Sequence, residues 1–303
     1  MDKSNIVRSP FFYVGDKYKL LPQILPLFPK NINNFYEVFV GGGSVFLNTA
    51  VENVFINDID PNIIEIHNFL LENRNNEAKF LSKLNTLITN YGFTNSSQGY
   101  VVAKEIKDAN PKTYFAKINR QSYDALKAKY NSDKSKKVVD LYLLMIFGFN
   151  RMLRFNRKGE FNLPVGNVDF NNNVVSALQG YFAKTSNRNI ATSNLHYKEF
   201  FNSIKFKKND FVYLDPPYLI TGSEYNKLWN ELDDTDLYAI LDGLDKKGVK
   251  FALSNVVRYG DKHNVILENW SEKYNVHVIS SNYINYFDNG KKHILEVLVT
   301  NYV

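Results

Sequence analysis

The stretch NFYEVFVGGGSVFLNTAVENVFINDIDPNIIEIHNFLLE (residues 34–72) sets short apolar runs between turn residues in a telling order. Residues 34–40 are an apolar run ending on Gly41, Gly42 and Gly43, and residues 44–51 can form a helix. Residues 54–56 make a second short strand, closed by Asn57 and Asp58. Pro61 suits the first turn of another helix over residues 62–72, where its missing N–H would go unpaired in any case. Strand, glycine turn, helix, strand, acid, helix opens a doubly wound α/β sheet. Ligands bind such sheets beyond the carboxyl ends of the strands.

Outward from this unit the rhythm breaks and then returns. Residues 73–185 hold polar helical stretches, turn-rich segments and one strongly apolar helix over 138–147. A basic, glycine-punctuated stretch follows over 150–167. Near Phe211 a strand reappears in FVYLDPPY (211–218), then a helix over 231–244 and a strand over 249–254. The tail reads as a hairpin turning at Asp288-Asn289-Gly290. The expected architecture is a sheet domain built from residues 1–72 and 186–303. A mostly helical insertion over 73–185, carrying a β-hairpin, would recognise the substrate.

Composition narrows the function. The 303 residues carry a net charge of +6, which suits a polyanionic partner, and 20 Tyr with 23 Phe supply faces for packing or for stacking on bases. Without a single Cys, disulfides, thiolate zinc sites and Cys nucleophiles are excluded. The first residues, MDKSNIVRSPFFYVG, lack the apolar core of a signal peptide, and the longest apolar run, 141–147, is too short to span a bilayer. A cytoplasmic protein without membrane contact is expected.

Asp215-Pro216-Pro217-Tyr218, directly after an apolar strand, carries the clearest chemistry. Adenine's amino nitrogen is a poor nucleophile because its lone pair is delocalised into the ring. Accepting both amino hydrogens localises that pair. The Asp215 carboxylate and the Pro216 carbonyl can do this from a turn that proline stiffens, and Tyr218 offers a ring to stack on an extruded base. An ordinary proline turn with a capping Asp is the competing reading. The strand in front favours a site.

The glycine turn admits fewer ligands than it first suggests. A phosphate-binding P-loop needs Gly-Lys-Ser/Thr, which Ser44-Val45-Phe46 does not supply, and a dinucleotide fingerprint needs a small residue at Phe46. A nucleoside without a pyrophosphate, such as S-adenosylmethionine, meets neither restriction. Asp58 then sits where an acid can bind ribose hydroxyls, although it could cap the next helix; Asp60 is better placed for that. Lys17, in Tyr13-Val14-Gly15-Asp16-Lys17, is either a solvated loop residue or a partner for the carboxylate of the donor's methionine part. In FNRMLRFNRKGEFNLPVG (149–166), Arg151, Arg154, Arg157 and Lys158 crowd together between apolar residues. Arg can read guanine, Asn adenine, and Lys phosphate. A solvated loop is the alternative.

Taken in order, these segments resemble the Dam-like, D12 class adenine-specific DNA methyltransferases of the α arrangement, across nearly the whole chain. YVGDKYKLLPQI is similar to the family's N-terminal motif, EVFVGGGSVFLNT to its glycine motif and INDIDPNII to its acidic motif. FNRMLRFNRKGEFNLPVGN resembles its target-recognition hairpin, and DPPY its catalytic tetrapeptide. The resemblance implies a Rossmann-like methyltransferase sheet, S-adenosylmethionine as donor, no metal, double-stranded DNA as partner and a monomer. It implies that Tyr13 and Lys17 meet the donor's amino-acid end, that Phe39, Gly41, Gly43 and Ser44 wrap the donor, and that Asp58 holds its ribose. Ile59 and Phe200 would flank its adenine. Phe149, Asn150, Met152, Arg154 and Pro164 would contact the target.

Phe149 and Met152 stand where members that read GATC usually carry Tyr and Leu, while Arg154 still implies a guanine beside the adenine. The tail LITGSEYNKLW is similar to restriction-modification members, which implies a cognate endonuclease acting separately; Tyr225 and Trp229 would help close over the base. The rival functions are a cytosine-N4 methyltransferase, which usually carries Ser before Pro-Pro, and an inactive DNA-binding regulator of the same fold.

Overall fold

The computed structural model describes residues 5–222, 229–280 and 294–303. A one-turn helix α1 (Leu21–Ile24) leads into strand β1 (Asn34–Glu37), helix α2 (Ser44–Asn48), strand β2 (Asn53–Asn57) and helix α3 (Pro61–Asn73). The expected strand over 34–40 is regular only to Glu37. Beyond it Val38 N–H still donates to Tyr213 O, but Val40 N–H turns to Asn57 O, and the chain leaves the sheet for the glycine turn. Helix α2 also stops short of residue 51. Arg188 donates to the carbonyls of Phe46 and Val51 and to Thr49 Oγ1, capping a helix end that would otherwise leave carbonyls unpaired. Asp60, not Asp58, is the N-cap of α3: its carboxylate accepts the Asn62 N–H at 2.9 Å.

Five helices follow: α4 (Glu77–Asn90), α5 (Lys104–Ala109), α6 (Tyr114–Ser132), α7 (Val138–Phe147) and α8 (Asn172–Thr185). Helix α7 matches the predicted bounds and is apolar all round; Leu141 to Phe147 are each fully buried. Burial of such side chains contributes roughly 1.5–3 kcal/mol apiece, so this helix anchors the middle of the chain. Its single acid, Asp140, is buried and held by Lys129 at 2.8 Å and the Tyr91 hydroxyl at 2.8 Å. One apolar cluster joins α7 to Phe35, Val54 and Ile56 of the sheet, so the middle stretch and the sheet share a core.

The α/β rhythm resumes with β3 (Asn189–Ser193), α9 (Tyr197–Ser203), β4 (Phe211–Leu214), α10 (Glu231–Lys246), β5 (Lys250–Tyr259), β6 (Lys262–His263), α11 (Val265–Ser271), β7 (Asn275–Ile279) and β8 (Ile294–Thr300). The sheet order is β3-β2-β1-β4-β5-β8-β7, with β6 paired to β5. Strands β3, β2, β1, β4 and β5 are mutually parallel, and β8 runs antiparallel between β5 and β7. The order reverses between β1 and β4, which opens a crevice at their carboxyl ends. The antiparallel pairing of β7 with β8 accords with the predicted terminal hairpin; its turn at Asp288-Asn289-Gly290 lies outside the described residues. Among the described residues no helix is long and apolar enough to cross a membrane.

The predicted hairpin over 149–166 is less regular than a ladder. It consists of two isolated antiparallel bridges, Gly148 with Val165 and Phe155 with Phe161, with a 3-10 turn Phe149–Arg151 between Gly148 and Phe155. Asn150 and Arg151 both take φ of 52°, a left-handed pair that costs non-glycine residues energy. Phe161, Leu163 and Val165 are buried while Asn162 and Pro164 are exposed, the strand alternation that pins one face on the core.

Candidate active site

The crevice between β1 and β4 contains a cavity of about 600 Å³. Its floor is the glycine turn. Gly41 and Gly43 take φ of +46° and +73°, which side chains disfavour. The protein's own packing also calls for glycine here. A Cβ on Gly42 would meet Tyr13 Cβ at 2.8 Å, and one on Gly43 would run into the Phe46 ring. The protein's own side chains close onto this turn.

Gly41 is pinned from both sides. Its N–H donates to Asp58 Oδ2 at 2.9 Å, and Asp58 Oδ1 accepts the Asp60 N–H at 3.0 Å. Its carbonyl lies 2.9 Å from His67 Nε2, so that nitrogen carries the proton and Nδ1 accepts from the Tyr181 hydroxyl at 3.1 Å. Burial lowers the pKa of His67 to about 4 and keeps the ring neutral. Burial also pushes Asp58 up to about 6, against the backbone N–H groups that favour its charged form. Glu37, at the end of β1, accepts the Phe46 N–H at 2.8 Å, and burial raises its pKa well above the ordinary carboxylate range.

The opposite wall is the turn after β4. Asp215 Oδ1 accepts from the Tyr218 hydroxyl at 2.7 Å, and Asp215 Oδ2 is 2.7 Å from Lys17 Nζ. Lys17 is buried, 3% exposed, so this ion pair is largely shielded from solvent. Glu296, on β8, places Oε1 3.4 Å from the Tyr218 hydroxyl and 3.8 Å from Lys17 Nζ. Burial is the largest cause of a Tyr218 pKa raised well above the normal phenol value.

The cavity gathers Tyr13, Lys17, Phe39, Gly41, Gly43, Ser44, Asp58 and Ile59 along with Asp215, Pro216, Pro217 and Tyr218. Phe200 lies elsewhere. It is 2% exposed in a second apolar cluster beneath the other face of the sheet, its ring 6.4 Å from Tyr36, and it does not line the cavity. Helix α9 points it inward because Tyr197, Phe200 and Phe201 form that helix's apolar stripe. Trp229 also departs from expectation. It packs on Tyr197 and Phe39 and donates to Asp234 at 2.7 Å, behind the cavity wall. Tyr225 lies outside the described residues.

Glu37, His67 and Glu296 were not singled out from sequence. Two of them carried a signal, a lone acid inside an apolar strand run: YEVFV for Glu37 and HILEVLV for Glu296.

The basic stretch sorts into an outer and an inner set. Arg154, Arg157 and Lys158 are exposed, as are Phe149, Asn150 and Pro164. Arg154 is held across the hairpin, Nε to Asn162 Oδ1 at 2.9 Å and Nη2 to Asn162 O at 2.7 Å. Arg151 turns inward instead. Its guanidinium lies 3.9 Å over the Phe12 ring, and burial lowers its pKa to about 10. Met152 is half-buried against the core.

Comparison with known proteins fits this geometry. The chain is 34% identical to Modification methylase StsI of Streptococcus sanguinis over 98% of its own length, and 34% identical to Type II methyltransferase M.FokI of Planomicrobium okeanokoites over 99%. It spans 43% of the length of each of these two relatives. Type II methyltransferase M1.LlaDCHI of Lactococcus lactis subsp. cremoris is 27% identical, with 100% of this chain and 98% of that protein aligned. The family profile described as D12 class N6 adenine-specific DNA methyltransferase matches residues 13–284. Running from the first cavity residue, Tyr13, to well beyond Tyr218, that match shows that the chain belongs to the D12 class N6 adenine-specific DNA methyltransferases.

Proposed function

We propose that this chain methylates the exocyclic N6 of an adenine turned out of double-stranded DNA, with S-adenosylmethionine as donor. The target is a short site containing GA, of which a GATC-like sequence is one form. The protein works as a monomer in the cytoplasm and protects host DNA beside a separate restriction endonuclease. Residues 1–72 and 186–303 form the catalytic domain, and residues 73–185 recognise the target.

The observation that carries this reading is the fixed carboxylate of Asp215, facing the glycine turn across one cavity. Buried Ser44 Oγ has no hydrogen-bond partner among the described residues and lines that cavity, which fits a polar ligand there. A volume of about 600 Å³ lies within the range of small-molecule and cofactor sites. Asp58 would bind ribose hydroxyls, Phe39 would help wrap the donor, and Ile59 would flank its adenine. When bound, S-adenosylmethionine would supply an electrophilic methyl group, whose bond to sulfur breaks as the bond to nitrogen forms, leaving S-adenosylhomocysteine as the product. Asp215 accepts one amino hydrogen of adenine and the Pro216 carbonyl the other, so the nitrogen lone pair localises. The nitrogen sheds one proton on forming its new bond, and Asp215 is placed to accept it. Tyr218 stacks on the extruded base, and holding both reactants in one cavity supplies much of the rate.

The test is transfer of label from tritiated donor to duplex DNA, followed by digestion to nucleosides. Label in N6-methyldeoxyadenosine is expected. Label in N4-methyldeoxycytidine would replace the base assignment. Donor binding with no transfer to any duplex would favour a DNA-binding regulator.

A further inference from the structure

Glu296 has no place in the chemistry above, yet it sits 1% exposed among Ile294, Leu295, Val297 and Leu298. A buried acid is costly, and well-packed apolar residues commonly replace one without loss of stability. Its position is particular. Because β8 runs antiparallel, its first residues lie at the carboxyl ends of the parallel strands, and Glu296 pairs with Val256 on β5. From there Oε1 reaches the Tyr218 hydroxyl at 3.4 Å and Lys17 Nζ at 3.8 Å. Those two groups are the donors that hold Asp215, the hydroxyl on Oδ1 at 2.7 Å and the ammonium on Oδ2 at 2.7 Å.

We propose that Glu296 is a positioning residue for Asp215, acting through Lys17 and Tyr218. This rests on the reading of Asp215 as the residue that accepts adenine's amino hydrogen. A carboxylate offers about four acceptor sites, so Asp215 gripped at both oxygens keeps a fixed plane and still has a lone pair for the amine. Glu296 faces both grips: it attracts the Lys17 ammonium and lies against the Tyr218 hydroxyl, whose one hydrogen goes to Asp215. Glu296 and Asp215 face the same ammonium, so both set the position of Lys17. The ring of Tyr218 lies 5.2 Å from Lys17 Nζ, so the same contacts set the plane on which a base would stack. Lys17 therefore acts on the carboxylate of Asp215 in addition to any contact with the donor.

The experiment is a double-mutant cycle with Glu296→Gln and Lys17→Met, reading single-turnover methyl transfer and, separately, donor and duplex dissociation constants. Glu296→Gln should slow transfer by about 10- to 100-fold, the order of a misplaced catalytic group, with both dissociation constants within twofold of wild type. The double variant should be no slower than Lys17→Met alone, because both act on Asp215. Glu296→Asp should recover part of the rate, and a purely structural role would give no such split between rate and affinity. If Glu296→Gln does not fold, Tyr218→Phe with Glu296→Asp tests the same coupling through the hydroxyl. Multiplying defects in either cycle, or a Glu296→Gln rate within threefold of wild type, overturns the proposal. Failure of wild-type protein to methylate adenine would instead overturn the functional reading.

Discussion

The turn carrying Asp215 and the loop carrying Arg154 both carry polar side chains proposed to meet the substrate, but they are held by different means. At the turn, side chains hold one another across distant strands: Lys17 from the N-terminal segment and Tyr218 from the turn itself meet Asp215, and Glu296 on β8 meets Lys17 and Tyr218. In the hairpin the backbone does most of the holding, helped by the Asn131 and Asn156 side chains. Gly166 N–H donates to Phe147 O at 2.8 Å, Phe149 N–H to Pro164 O at 2.9 Å and Asn156 N–H to Glu160 O at 2.8 Å. Phe161 is buried, and its N–H donates to Asn131 Oδ1 at 2.8 Å. Coupled side chains transmit a substitution to their neighbours, whereas side chains on an independently held backbone fail one at a time. Defects should therefore be large and non-additive in the cavity, and modest and separable in the hairpin.

The largest expected effect breaks the cavity side of this contrast. Asp215→Ala should reduce methyl transfer by about 10³-fold or more, on the scale of a lost general acid–base group, while donor binding stays nearly intact. Calorimetry with donor and single-turnover kinetics with duplex measure the two separately. Turnover at the wild-type rate would remove Asp215 from the chemistry. Asn is a weaker test, because its amide oxygen still accepts a hydrogen bond.

Next in size is Arg154. Its guanidinium is aimed by Asn162, which leaves other N–H groups for a base edge. Arg154→Ala should cost about 1–3 kcal/mol of discrimination at one base pair and broaden the set of methylated sites. Sequencing methylated adenines in DNA from cells that express each variant reads this out. A uniform loss of affinity with unchanged site preference would make Arg154 a backbone contact. With Arg151 turned onto Phe12, Arg157 would then be the leading candidate for the guanine.

A smaller effect concerns Asp58, and its sign follows from its pKa. Burial raises that pKa to about 6, so the carboxylate is charged above pH 6 and neutral below it. Ribose hydroxyls donate more strongly to the charged form. Donor affinity should therefore be constant above about pH 7 and fall as pH drops through 6. Asp58→Asn should abolish that pH dependence, and Asp58→Ala should raise the donor dissociation constant about tenfold, the scale of a lost charged hydrogen bond. Unchanged donor binding in calorimetry would leave Asp58 its links to the Gly41 and Asp60 N–H groups.

What the sequence disclosed follows the same division. The glycine turn, the acidic turn and the Asp215 turn were legible because each is local, and turn chemistry is written in consecutive residues. Asp60 as a cap and α7 as a helix were legible for that reason too. Glu296 was not, since its contact with Tyr218 spans 78 positions and depends on β8 inserting between β5 and β7. His67 was hidden because nothing around it in the chain says that Gly41 lies against that face of α3. Phe200 was expected beside the ligand because an aromatic helix stripe reads alike whether it faces a ligand or the core. Arg151 was grouped with its basic neighbours because a charge run does not show which member meets an aromatic ring.

Lys158 marks the low end of the scale and sharpens the hairpin side of the contrast. It is exposed at the tip, where its N–H donates to Asn156 Oδ1 at 2.9 Å and Gly159 takes φ of +74° to close the turn. The backbone of that tip does not depend on the ammonium group, so Lys158→Ala should leave the hairpin's shape unchanged. If the ammonium meets phosphate, its loss releases about one fewer counterion, and the slope of log affinity against log salt should fall by about one. Affinity for cognate and scrambled duplexes should drop by the same few-fold factor, with the methylated sites unchanged. Paired with Arg154→Ala, the variant should be additive within about 0.3–0.5 kcal/mol, because independently held side chains do not couple. A change in site preference would give Lys158 a base contact. A clear departure from additivity would mean that the hairpin moves as one coupled unit, and the difference between the two regions would then be one of degree.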